Sequence, residues 1–195
     1  MNAFEQLIEA HRPAMKPALA KLVRLLEAHG VRYVIGGATA LSLYVRPRMT
    51  IDVDAFVDVE RKEEIDKLLA AEFELVSIGR YHSKFKHADV ELDILYAGAS
   101  AEEFALANAR DAVILGTRLK APSPESLLWL YLVSSQEQNF VDALKLLRSN
   151  PGLDLNLVRR QVEQHQPDLS PKLQQMLNTA REPVPSYEES RARRS

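Results

Sequence analysis

Between Val34 and Val59 the chain reads VIGGATALSLYVRPRMTIDVDAFVDV, and the stretch from Ile51 places Asp52, Asp54 and Asp58 at alternate positions. Side chains alternate between the two faces of a strand. The aspartates and Phe56 therefore share one face, while Ile51, Val53, Ala55 and Val57 share the other. The apolar face must lie against a core. Carboxylates on the opposite face are costly there unless hydrogen bonds, opposite charge or a bound cation compensate them. Any fold of this chain thus needs a sheet packed on one side and opening, on the other, onto a site that neutralises charge.

The remaining elements follow from periodicity and punctuation. Met15, Leu19, Leu22, Val23 and Leu26 keep helical spacing, with Gly30 just past the helix end. VRYVIGG is a β-rich strand that stops at Gly36 and Gly37, ATALSLYV a short helix and RPRMT a loop. From Glu60 to Glu72, charges surround Ile65, Leu68 and Leu69 as on an amphipathic helix. FELVSI, HSKFKHA and VELDILYA are strands, and AVILG and TRLKAP are strand-like. Ser100 with Glu103 has the pattern of a capping box opening a helix. From Ser123 the character changes: Ser123-Pro124 and Ser170-Pro171 are helix starts, and FVDALKLLRSN and LNLVRRQVEQH are helices.

The expected class is α+β. A mixed, twisted sheet flanked by helices occupies residues 1–121, a helical bundle residues 122–182, and a polar tail, 183–195, frays. With 195 residues and 46% hydrophobic content the chain can bury a core. A net charge of −2 argues against a surface uniformly basic for nucleic acid, and the absence of cysteine excludes disulfides, thiol nucleophiles and thiolate-bound metal. The N-terminal residues lack the basic start and apolar run of a signal peptide, and no apolar run reaches membrane-spanning length. A cytoplasmic protein with no membrane partner is expected.

In VELDILYA, Glu91 and Asp93 face away from Val90, Leu92 and Ile94. If this strand neighbours the one carrying Asp52 and Asp54, all three aspartates converge, because adjacent strands lie about 4.8 Å apart. Converged carboxylates repel, and all-oxygen ligation suits a hard ion, Mg2+ or Mn2+, of the kind used for displacement at phosphorus. Taken singly, each aspartate is more often a cap, a turn former or a surface charge, and the signal comes from their combination with the glycines. Gly36 and Gly37, between strand and helix, leave room for a phosphate to approach the backbone, or make only a tight turn. Lys84 and Lys86 share a strand face and reach either a triphosphate or RNA, or protect a solvated edge strand. Trp129 and Tyr131 read as core.

Taken together, the paired glycines, the short helix, Arg48-x-Thr50-x-Asp52-x-Asp54 and the later Asp93 resemble the nucleotidyltransferase superfamily with the DNA polymerase beta type of catalytic module. VIGGATALSLYVRPRMTIDVDAFV is similar to bacterial minimal and abortive-infection-type nucleotidyltransferases, some of them toxins of toxin–antitoxin systems, and KAPSPESLLWLYLV with FVDALKLL resembles their helical part. The resemblance implies that Gly36, Gly37 and Thr39 meet the nucleotide and that Asp52 and Asp54 bind metal, with Asp93 the third carboxylate, helping to activate the attacking hydroxyl; Asp52, Asp54 and Asp93 are together the expected catalytic and metal-binding set. Arg48 and Thr50 fit the family's arginine and hydroxyl just before the D-x-D, Arg48 either touching phosphate or bracing the loop, and Lys84, from its strand face, is taken as a nucleotide contact beside them. Ala38 stands where many members have serine, Tyr131 about where relatives often carry lysine, and Asp142 alone remains of a frequent lysine–aspartate pair.

The activity so implied is metal-dependent transfer of a nucleoside monophosphate from an NTP to a hydroxyl of RNA (tRNA), protein or a small molecule, with release of pyrophosphate. A cognate antitoxin or helical partner goes with the toxin-type resemblance. Two other readings stay open: a catalytically degenerate module acting as antitoxin or nucleotide-binding partner, and a helical interaction protein whose carboxylates are surface charge.

Overall fold

The computed structural model describes residues 6, 8–9 and 13–183. The expected fraying of the tail concerns residues that lie, apart from Pro183, outside these. Helix α1, Met15–Ala28, is followed by β1, Tyr33–Ile35, the short α2, Gly37–Leu41, and β2, Asp52–Asp58. A 3-10 turn leads into α3, Lys62–Ala70, and then β3, Glu74–Ile78, β4, His82–His87, and β5, Val90–Ala97. Helix α4, Ser100–Ala107, precedes β6, Arg110–Ile114, and β7, Thr117–Ala121. Four helices end the described chain: α5, Pro124–Val133, α6, Glu137–Ser149, α7, Leu155–His165, and α8, Ser170–Arg181.

The first five strands form one mixed sheet in the order β1-β2-β5-β4-β3, so the α+β expectation holds. Only β2 and β5 run parallel; β1, β4 and β3 join antiparallel. Strands β6 and β7 make a separate hairpin and do not extend the sheet. Val53, Ala55 and Val57 of β2 and Leu92 and Ile94 of β5 are fully buried beneath α1, α3 and the hairpin. The opposite face carries the acids at one end. At the other it meets a second apolar cluster that unites Val34, Leu41 and Ala97 with α4 and the C-terminal helices.

Local chemistry accounts for the element ends, with two shifts from the expected caps. The Ser100–Glu103 pattern is displaced by one residue: Ala99 holds the cap position, and Glu102 Oε2 accepts from its backbone N–H at 3.1 Å. Ser170 lies inside α8 and makes no side-chain cap, because the turn Pro167–Leu169 already winds the chain into the helix. Ser123 does cap α5, its Oγ accepting from the Ser126 N–H at 3.2 Å. Helix α5 is apolar on every side, and Leu127 through Leu132 are all buried, so it forms the axis of the C-terminal bundle. Lys172 of α8 closes its end by donating to the carbonyls of Leu132 at 2.7 Å and Ser134 at 2.6 Å.

Helix α1 ends in a Schellman motif. Gly30 N–H donates to the Glu27 carbonyl at 3.0 Å, and Val31 N–H to that of Leu26 at 2.9 Å, with Gly30 at φ +59°. An added Cβ would touch nothing within 4 Å, so a substitution there tests the backbone alone. Gly30→Ala is expected to cost about 1 kcal/mol, measured as a lower denaturant midpoint with unchanged m-value.

Candidate active site

The parallel pairing of β2 with β5 sets the site. Asp52 lies opposite Glu91, Asp54 opposite Asp93 and Phe56 opposite Leu95. Asp93 therefore stands beside Asp54 on the same face of the sheet, as the alternation requires. The three aspartates differ in what holds them. Thr50, itself buried, donates its hydroxyl to Asp52 Oδ1. Asp93 Oδ1 takes His82 Nε2 at 2.7 Å and Lys84 Nζ at 3.3 Å, both from the same face of β4. Asp54 lies between them with no hydrogen-bond or ion-pair partner among the described residues. Burial first, then repulsion from Asp52 and Asp93, pushes its carboxyl up to about 7.

The glycine pair is fitted to β2. Gly36 N–H donates to the Asp54 carbonyl at 2.8 Å, anchoring the turn on the strand. A Cβ on Gly36 would come within 2.5 Å of the Phe56 ring. Gly37 has φ +54°, and a Cβ there would lie 1.8 Å from Asp54 Oδ2. Both glycines are thus required by the side chains that β2 turns toward them. The Tyr131 hydroxyl of α5 donates to the Gly37 carbonyl at 3.0 Å and pins the turn from the other side.

The loop leading into β2 is tied to α6. Arg48 donates from Nε at 2.9 Å and from Nη2 at 2.7 Å to one oxygen of Asp142, whose side chain is 0% exposed. The other Asp142 oxygen takes Gln138 at 3.1 Å and Lys145 at 3.3 Å. Sheet, loop and helices enclose a cavity of about 590 Å3, within the size range of small-molecule sites. Its floor carries Asp52, Asp54 and Asp93, continuing to Phe56 and Leu95, and its far wall is the neutral run Ser134, Ser135 and Gln136 with Gln138 and Asn139.

Of the residues singled out from the sequence, Gly37, Arg48, Thr50, Asp52, Asp54 and Asp93 line this cavity, and Lys84 reaches it through Asp93. Gly36 lies beneath it against Phe56. Thr39 does not reach it: one step beyond Ala38 on α2, its side chain turns into the core, where it is 1% exposed and its hydroxyl has no hydrogen-bond partner among the described residues. Reading α5 as core overlooked the Tyr131 hydroxyl, and reading the lysines of β4 overlooked His82. The alternation that put Lys84 and Lys86 on one face also puts His82 there.

No Asp, Glu or His group of three is arranged among the described residues to hold a metal ion with the side chains as they stand. Two carboxylates do suit one. Asp52 and Asp54 share a face and supply only oxygen, and Asp54 has no direct ion pair among the described residues. A bound nucleotide would supply the further oxygens a hard divalent ion needs.

Residues 20–93 match a family model described as the nucleotidyl transferase AbiEii toxin of a type IV toxin–antitoxin system. No curated protein sequence matches the chain. Among solved structures, the antibiotic-resistance factor ANT(2'')-Ia in solution is similar at 18% identity and a TM-score of 0.58, over 76% of this chain and 91% of that one. The same factor in complex with adenylyl-2''-tobramycin gives 17%, 0.57, and coverage of 76% and 97%. The lincosamide adenylyltransferase LnuA, lincomycin-bound, gives 18%, 0.51, and coverage of 68% and 96%. At these identities the shared property is the fold.

The raised Asp54 carboxyl has a defined sign in stability. The folded state holds this proton more tightly than the unfolded state does. Stability contributed by protonation is therefore lost as pH rises from about 4 to about 7. Asp54→Asn removes that dependence. Without divalent cation, the variant is expected to melt at least about 3 °C above wild type at pH 8, and the gap is expected to close toward pH 4. Thermal scans across that range, with chelator present, measure it.

Proposed function

We propose that this nucleotidyltransferase transfers a nucleoside monophosphate from an NTP to an acceptor hydroxyl, with a divalent cation, Mg2+ or Mn2+, held by Asp52 and Asp54. The observation that carries the reading is Asp54 itself: a half-buried carboxylate without a partner, opposite Asp93 and against the Gly36–Gly37 turn. When bound, the ion supplies positive charge that offsets the phosphates and the departing pyrophosphate. The acceptor oxygen bonds to the α-phosphorus as the bond from that phosphorus to the β-bridging oxygen breaks, and pyrophosphate leaves with the electron pair.

The chain's residues divide the remaining work. Asp93 takes the acceptor's proton on Oδ2, since His82 and Lys84 occupy Oδ1. Gly37 allows a phosphate to lie against the backbone where any side chain would strike Asp54. Arg48 acts mainly as a brace through Asp142, and Thr50 orients Asp52. Lys84 balances the charge beside Asp93 and lies within reach of a triphosphate.

The acceptor is a hydroxyl of RNA, such as tRNA, of protein or of a small molecule. The related structures, bound to adenylyl-tobramycin or lincomycin, favour including such antibiotics among the acceptors tested. The AbiEii match favours a cytoplasmic toxin with a cognate antitoxin. The hold of His82 and Lys84 on Asp93 favours the runner-up, a degenerate module that binds nucleotide without transferring it.

Incubation with each α-labelled NTP, Mn2+ or Mg2+, and tRNA, lysate protein, tobramycin or lincomycin decides between them. Label is expected on one acceptor class, with Asp54→Asn and Asp93→Asn each lowering the rate at least a hundredfold, about 3 kcal/mol in the barrier. NTP binding without any transfer would establish the degenerate module. Full activity in Asp54→Asn would move the chemistry elsewhere.

Gly37→Ala is expected to abolish transfer while the protein still folds, because the methyl displaces the Asp54 carboxylate. Circular dichroism, together with the same labelling assay, checks it.

A further inference from the structure

The cavity has a second end. Two residues along β2 and β5 from the Asp54–Asp93 pair, the cleft-facing pair is Phe56 and Leu95, roughly 7 Å further on at the rise of a strand. Leu127 and Leu130 of α5 line the same cavity and pack in one apolar cluster with Phe56, and Glu102 of the adjoining α4 is a further carboxylate in the lining. Glu102 is fixed: its Oε2 accepts from the Ala99 N–H at 3.1 Å at the start of α4. Its Oε1 has no partner among the described residues. The neighbouring Glu103 points away, to Arg32 at 3.3 Å.

An apolar floor with one oriented acceptor at its edge fits a flat ring that donates an N–H. Resting on the transferase reading, we infer that this end is the nucleobase pocket, and that Glu102 selects bases bearing an exocyclic amino group over uracil. A sugar spans the gap between a phosphate at Asp54 and a ring over Phe56. Adenine and cytosine each present an amino group at the ring edge, and guanine presents an amino group beside a ring N–H. Uracil's one edge N–H lies between two carbonyl oxygens, which would face the carboxylate. An acceptor covered by a bound base and left without a donor penalises the wrong ligand more than it rewards the right one.

The test is calorimetric binding of ATP, GTP, CTP and UTP to the full chain with Mn2+. UTP is expected to bind about tenfold or more weaker than the best of the other three. Glu102→Gln keeps an acceptor for the Ala99 N–H and turns its amide N–H toward the ring, where it donates to uracil O4. The preference is therefore expected to shift toward UTP by about tenfold or more, whereas Glu103→Gln leaves the ranking as in wild type. A purely structural role for Glu102 would weaken all four nucleotides alike, and that result overturns the inference. Equal binding of UTP by wild type, or an unchanged ranking in Glu102→Gln, also overturns it while leaving the transferase reading intact. Failure of every NTP to bind wild type with Mn2+ overturns both.

Discussion

Two carboxylates opposite one another on adjacent parallel strands are a built-in repulsion, and the site depends on it. Like charges directly opposite destabilise a sheet, yet β2 and β5 are the central strands here and place Asp54 against Asp93. The surroundings distribute that cost unevenly. Asp52 is met by a hydroxyl and Asp93 by an imidazole and an ammonium, while Asp54 has no hydrogen-bond or ion-pair partner among the described residues. The unneutralised charge is thereby concentrated on one atom group under the glycine turn. A cation arriving with a nucleotide would find there an affinity that the protein has not already satisfied.

The helical part is joined to this floor by polar contacts that cross long stretches of sequence. Arg48 reaches Asp142, and Tyr131 reaches the Gly37 carbonyl, each across 94 residues. Asp142 is fully buried and accepts from three side chains, so removing any single partner leaves charge poorly compensated in the interior. The cavity is consequently a property of both parts. Neither the sheet nor the bundle alone contains its walls.

Much of this was legible in the sequence where period and chemistry coincide. The alternation at Asp52, Asp54 and Asp93 specified a face, and the register realised it, because a half-buried strand cannot slip by one residue without turning its acids into the core. The Ser123-Pro124 start was equally plain. Less legible was anything decided by packing. Thr39 and Ala38 are adjacent, and only the docking of a five-residue helix settles which faces the cleft. Ser170 carries the same dipeptide signal as Ser123, but a preceding 3-10 turn absorbs the helix start. Tyr131 sits in an apolar helix that reads as core along its whole length, and no local pattern shows that its hydroxyl finds a carbonyl in the glycine turn. The hairpin β6–β7 resembles two more sheet strands, and its separation from the sheet is a tertiary choice.

Lys172 gives the last helix an influence out of proportion to its place. Its ammonium holds the carbonyls of Leu132 and Ser134, where α5 ends and the neutral wall of the cavity begins. A rigid strut thus runs from the outer surface of α8 to the rim of the cleft, without any residue of α8 lining it. Whatever grips or shifts that outer helix would tilt the wall facing the acids, and so reset the width of the opening from the far side of the molecule.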